Sequence, residues 1–298
     1  MSMPRRTLGR TGLSVPVLGH GTVPIGRAGF DRAEARRLVD ALIEAGVDLF
    51  DTAAAYDDSE IVLGELLEGR RDEVVLVTKT GMDVGYEPGW GRKNLERLIE
   101  RSLERLRTDH VDVLLLHTCD LADLEKGEVL DVLRDAKARG QARFVGYSGD
   151  GDALAHALAS DVVDVIETSY SLLDQANRPL IRQAAANGIG VLLKRPLANA
   201  VPGRAKPPAD SYAAAYWPRW QGLAWTSNDV GGAPWLEAAL RFAAYADGVT
   251  TALVGSGSLP HMQGHVDAVT KGPLPVEVVT HLERSFDAAA HGRWPGLR

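Results

Sequence analysis

The chain alternates short, nearly continuous apolar runs with longer amphipathic stretches. Eight runs, Val17–Thr22, Leu49–Ala53, Val74–Lys79, Val111–His117, Arg143–Ser148, Val162–Glu167, Gly190–Leu193 and Thr250–Gly255, are rich in Val and Leu. Strands covered on both faces carry such runs, because neither face is left to water. Between them the period lengthens. In Asn94–Leu106, Leu95, Leu98, Ile99, Leu103 and Leu106 form one stripe, and Glu96, Arg97, Glu100, Arg101, Glu104 and Arg105 fill the rest. That is the pattern of a surface helix leaning on a core. Eight strand–helix repeats predict an α/β chain closed into a parallel (β/α)8 TIM barrel. A doubly wound open sheet is the alternative, but no strand here runs into a Gly-x-Gly-x-x-Gly turn at a helix start.

Two segments stand outside this alternation. Arg6–Val15 reads as two short strands around Gly9–Gly12, an N-terminal β-hairpin placed to plug the barrel bottom. Asn199–Gly232 has weak periodicity and holds Pro202, Pro207 and Pro208. It is expected to be a long loop after strand 7, not a linker, so residues 1–298 are expected to form one domain.

Composition narrows the class. The 298 residues carry a net charge of -7, which gives no footprint for nucleic acid. The single cysteine, Cys119, excludes an internal disulfide, fits a reducing compartment and is expected to be a small buried hydrophobe. No apolar run approaches ~20 residues, so no membrane span is expected. The basic start of the chain is not followed by an apolar segment, so no signal peptide is expected and the cytoplasm is the default location. Oligomeric state leaves no mark in the sequence.

In barrels of this kind, polar residues at the C-terminal ends of strands are the candidates for function. The second strand runs into Asp51-Thr-Ala-Ala-Ala-Tyr56, the third ends on Lys79, and the fourth on His117. Neighbouring strands lie ~5 Å apart, so these groups are expected to share one wall of the mouth. Any one of them has an ordinary explanation: an ion-pair partner, a satisfied core histidine, a helix cap. Together they make a proton-transfer site. Asp51 supplies the carboxylate that a buried Lys79 needs. The ammonium is expected to lower the Tyr56 phenol from its usual ~10 and make it a usable general acid. His117 would fix a carbonyl oxygen.

With these residues the sequence resembles the aldo-keto reductase family over nearly its whole length. Leu8-Gly-Arg-Thr-Gly12-Leu-Ser-Val and Leu18-Gly-His-Gly21-Thr look like the family's N-terminus. Asp51-Thr-Ala-Ala-Ala-Tyr56 with Ser59-Glu60-Ile-Val-Leu63-Gly64 matches its most specific signature, and Val77-Thr-Lys79 and Leu115-Leu-His117 match the next two. The resemblance implies a catalytic tetrad of Asp51, Tyr56, Lys79 and His117. It implies NADP(H)-dependent reduction of a small aldehyde or ketone by hydride transfer, and no metal.

On the cofactor side the resemblance points to Gly21, Thr22 and Asp51, to Ser148 and Glu167 at the carboxamide, and to Lys194, Arg195, Pro196 and Leu197 after the seventh strand. Here Gly149 stands where the family has Asn, Glu167 where it has Gln, and Lys194 where an aromatic is usual. Lys194 and Arg195 are expected to face the pyrophosphate instead. The segment Gly255-Ser256-Gly257-Ser258 leads into Leu259-Pro260, a helix start whose free N–H groups suit a phosphate, although without the tetrad a plain capped turn would explain it. His261 replaces the family's basic 2′-phosphate contact, and Gly264-His265 its Glu-Asn pair. NADP(H) is therefore expected by a reduced margin, with NAD(H) as the alternative.

Trp90 and Trp294, together with His117, are expected at the substrate, and Trp217 and Trp220 packed on the barrel. Two rival functions stay open at this point. One is a Schiff-base aldolase using Lys79 as nucleophile; the other is a non-catalytic, cofactor-binding regulatory barrel.

Overall fold

The computed structural model describes residues 2–82, 89–292 and 294–297. Eight parallel strands close into a barrel: β1 (Leu18–Gly21), β2 (Leu49–Asp51), β3 (Val75–Thr80), β4 (Val111–His117), β5 (Ala142–Ser148), β6 (Val165–Ser169), β7 (Gly190–Lys194) and β8 (Thr251–Val254). They pair in chain order, and β8 returns to β1. This is the expected (β/α)8 barrel, not the open sheet. The apolar runs overshoot the strands: Val162 and Val163 are buried, but the ladder begins only at Val165.

The period of two within each strand builds two cores. Leu49, Val77, Val113, Leu115, Val165, Leu192 and Leu253 fill the barrel interior, while Phe50, Leu76, Leu114, Leu116, Ile166 and Leu193 face the surrounding helices. The helix read from its stripe spans Arg92–Leu106 and buries Leu95, Leu98, Ile99 and Leu106.

The hairpin closes the bottom. Arg5–Thr7 pairs antiparallel with Ser14–Pro16, and Leu8, Leu13 and Val15 join the interior cluster. Close approach demands glycine here. A Cβ on Gly190 would lie 2.6 Å from the Leu8 side chain, and one on Gly9, which has φ +51, would lie 2.3 Å from the Gly190 nitrogen.

After β7 the chain takes the expected long excursion, but it is not structureless. It carries short helices at Ser211–Ala214 and Trp217–Leu223. Arg219 staples the second down from a buried position, donating to Leu173 O (3.0 Å) and Pro295 O, and the Asp210 side chain caps the first. Trp217 and Trp220 pack against the core as expected. Cys119 is buried, and burial pushes its thiol up to about 12. Among the described residues, no helix is long and apolar enough to cross a membrane.

Candidate active site

Register sets the polar strand ends in two groups. Gly21 lies beside Asp51 on the neighbouring strand, and His117, Ser148 and Glu167 lie side by side on β4, β5 and β6. Side chains on this row point into the mouth of the barrel.

Lys79 sits at the centre and is fully buried. Its Nζ donates to both carboxylate oxygens of Asp51 at 2.6 Å, to Thr52 O at 3.1 Å and to the Tyr56 hydroxyl at 3.4 Å. It also lies 3.3 Å from Glu167 Oε2. Burial alone would lower this ammonium, but Asp51, Glu167 and Tyr56 outweigh it and hold Lys79 above its ordinary range. Burial and then Glu167 push Asp51 upward against the pull of Lys79. His117 stacks edge-on against Tyr56, ring centroids 5.5 Å apart. Burial, followed by the charges of Lys79 and Lys194, lowers it to about 2, so its ring is neutral and can donate from one nitrogen.

The four expected residues are thus brought together, but the expected tuning of Tyr56 is corrected. Its phenol is not lowered. Burial raises it, Lys79 pulls it down, Asp51 and Glu167 push it up again, and the balance lands at about 12. Desolvation penalises the phenolate, and Asp51, then Glu167, work against the lysine.

Two cavities meet at Tyr56. One, of about 430 Å³, is lined by Gly21, Asp51, Leu253 and Gly255 on one side and by Arg195, Pro196, Leu197 and Asn199 on the other. The other, of about 380 Å³, is lined by His117, Ser148, Asp150, Glu167, Lys194 and Tyr212 among others. Thr22, expected beside a cofactor, does not line either. Its hydroxyl donates to Asp51 O (2.8 Å) and accepts from Ser59 Oγ (2.6 Å), which turns it into the barrel wall. Val23 lines both cavities in its place.

Lys194 is also corrected. It lines only the cavity of His117, where its ammonium lies 3.1 Å from Asp150 Oδ2. Asp150 accepts in addition from Thr168 Oγ1, the Ser169 N–H and Asn177 Nδ2, and its carboxyl stays below the usual range because these partners and Lys194 outweigh burial. Arg195 lines both cavities, lies 5.1 Å from the centre of the Tyr212 ring and donates to Leu297 O. The missing Asn at 149 also has a steric cause. A Cβ there would lie 2.3 Å from the Tyr147 hydroxyl, which is fixed by donating to Cys119 O.

At the end of β8, Ser258 caps the helix Leu259–Thr270 by accepting from the His261 N–H at 3.4 Å, and Ser256 Oγ accepts from the Ser258 N–H. Gly257 lies under Phe30. His261 is exposed. His265 is half-buried and lowered by burial and by His261.

Trp90 and Trp294 are placed elsewhere than expected. Trp90 lies across Gly81, and Trp294 packs on Phe286 and under Arg219. Neither lines the two cavities. Sequence patterns missed Asp150, Tyr212 and Asn199. Asp150 is two residues past Ser148 in a strand-end turn, a signal that was available; Tyr212 and Asn199 lie in the aperiodic segment, which offered none.

A closed (β/α)8 barrel with a lysine, a tyrosine, a histidine and two acids at its C-terminal mouth defines a class of barrel oxidoreductases. The sequence model of the aldo/keto reductase family matches residues 17–286, and the chain belongs to that family. It is similar to L-galactose dehydrogenase of Arabidopsis thaliana, 27% identical over 97% of this chain and 96% of the relative. It is also similar to an NADH-specific methylglyoxal reductase of Escherichia coli, 28% identical over 65% of this chain and 68% of the relative. Among solved structures, the holo form of an aldo-keto reductase from Bacillus halodurans superposes with a TM-score of 0.80, 26% identical, covering 95% of this chain and 96% of that one.

Proposed function

We propose that this barrel, acting as one unit of 298 residues, reduces an aldehyde or ketone to an alcohol with NADP(H), and that Tyr56 delivers the proton. One observation carries this: the Tyr56 hydroxyl lies within reach of a permanently charged Lys79, beside neutral His117, where two cavities meet.

The larger cavity fits a nicotinamide cofactor. Gly21 and Gly255 keep its wall free of side chains, and Asn199 Nδ2 is buried there without a partner. Gly21, Arg195, Pro196, Leu197 and Asn199 would hold the cofactor, with the capped turn Gly255–Ser258 and His261 toward its phosphates. When bound, the reduced cofactor supplies hydride to the carbonyl carbon.

The chain's own residues do the rest. His117 donates to the carbonyl oxygen and fixes its direction. Tyr56 gives its hydroxyl proton to the same oxygen as negative charge grows there. A phenol near 12 is not ionised at neutral pH, so the proton is always in place, and Lys79 steadies the phenolate left behind. Buried Lys79, charged and held by two acids, is a poor amine nucleophile; this argues against the Schiff-base alternative. No observation favours the non-catalytic one.

The test is oxidation of NADPH and NADH against a panel of aldehydes, ketones and sugars. Turnover with at least one carbonyl, and NADPH preferred, is expected. Tight cofactor binding with no turnover against any carbonyl would favour the regulatory alternative.

A further inference from the structure

Glu167 stands where a neutral glutamine would serve a carboxamide, and its geometry gives it a second task. It reaches from β6 across the barrel to β3. Ser148 Oγ donates to its Oε1 at 3.2 Å, and its Oε2 lies 3.3 Å from Lys79 Nζ. Lys79 has three N–H donors. The two Asp51 oxygens and Thr52 O take its three shortest contacts, so the Tyr56 hydroxyl at 3.4 Å and Glu167 Oε2 at 3.3 Å divide the remaining field of the ammonium, Glu167 as an ion pair without a hydrogen bond.

We propose that Glu167 is a positioning residue for the Tyr56 phenol, acting through Lys79: it clamps the ammonium from across the barrel and fixes how much of that charge reaches the phenol oxygen. This rests on the proposed role of Tyr56. Ionisable groups surround Glu167 from several elements. Asp51 and Tyr56 come from β2 and its loop, Lys79 from β3, His117 from β4, Asp150 from the loop after β5, Lys194 and Arg195 from β7 and beyond, and Tyr212 from the long loop. Lys194 is matched by Asp150 and Arg195 stacks on Tyr212. Among the described residues, Lys79 is thus the cation Glu167 contacts within salt-bridge distance.

The chemistry is proton placement. In reduction the O–H bond of Tyr56 breaks, the proton goes to the substrate oxygen, and the electron pair stays on the phenolate. A carboxylate competing for Lys79 disfavours that phenolate and so keeps the resting phenol protonated to higher pH. Both Asp51 and Glu167 push the phenol in that direction.

The test is a titration of tyrosine-ring carbon signals by NMR, in wild type and Glu167→Gln. Tyr56→Phe identifies the Tyr56 signal. Gln keeps the shape and removes the charge. The Tyr56 midpoint is expected to fall by about one pH unit or more, because a unit charge a few ångströms away in a buried site is worth at least that. Glu167→Asp, which keeps the charge, is expected to stay closer to wild type than Gln does. A midpoint unmoved in Gln, or moved equally in Gln and Asp, overturns the proposal. The readout needs no turnover: an unmoved midpoint leaves Tyr56 as acid standing, and full activity in Tyr56→Phe removes the acid without touching the midpoint result.

Discussion

The Lys79 ammonium lies 3.4 Å from the Tyr56 hydroxyl oxygen, yet the phenol sits above its ordinary range. A single lysine–tyrosine contact would do the reverse. The difference is made by burial and by two carboxylates on the same ammonium. Lys79 therefore balances negative charge first and stabilises phenolate second.

Removing Lys79 should strand that negative charge. Lys79→Met leaves buried Asp51 without its partner, which costs roughly 3–5 kcal/mol. The sign with pH follows from Asp51, already pushed upward in the folded chain by burial and Glu167. A carboxyl raised on folding is destabilising above its unfolded midpoint of ~4, and the destabilisation fades as pH falls through the folded midpoint. Urea unfolding should thus show the variant's deficit against wild type growing from pH 7 to pH 9, through the wild-type midpoint of about 8. An equal deficit at both would mean Asp51 does not carry the exposed charge.

Acid should weaken the wild type through its buried histidines. His20 is fully buried in β1 against Phe50, and burial lowers it from 6.5 to about 4. The unfolded chain takes up that proton first. The stability His20 confers is complete above pH 6.5, falls by about 1.4 kcal/mol per pH unit below it, and levels off near pH 4. His117 adds the same slope over the same upper range. His20→Leu should remove one proton's worth of slope between pH 6 and 5 in denaturant titrations, and an unchanged slope would place the proton elsewhere.

Much of this site was legible because strand ends repeat. Asp51, Lys79 and His117 each close an apolar run; register sets Asp51 beside Val77 and Lys79 beside Leu115, two residues short of the next strand end, and the long Lys79 side chain spans the offset to Asp51. What stayed hidden depends on groups far apart in the chain. Glu167 meets Lys79 across the barrel, and no spacing encodes that contact. Lys194 turned from the expected phosphate side because Asp150 offers a dry partner. The helices at Ser211–Ala214 and Trp217–Leu223 are too short to hold by propensity; the Asp210 cap, Arg219 and the core hold them, so their pattern was faint.

Cofactor choice is expected to favour NADPH over NADH by a small margin. Lys194 is committed to Asp150, and Arg204 Nε donates to Ala200 O, so the proposed contact to a 2′-phosphate is His261, which is exposed. A histidine offers fewer donors than an arginine and is charged only when protonated. The ratio of kcat/KM for NADPH over NADH should fall in His261→Ala. A ratio indifferent to that substitution would remove His261 from the phosphate.

Whether Tyr56 gives the proton is decided by single-turnover oxidation of bound NADPH by a reactive aldehyde, followed in wild type and Tyr56→Phe. Loss of a general acid typically slows the step ~100- to 10,000-fold. A loss of that size is expected in the Phe variant with NADPH affinity nearly unchanged, because the substitution leaves intact Arg195–Leu197, Asn199 and the β8 turn, the residues proposed to hold the cofactor. Hydride transfer at the wild-type rate in Tyr56→Phe would contradict it.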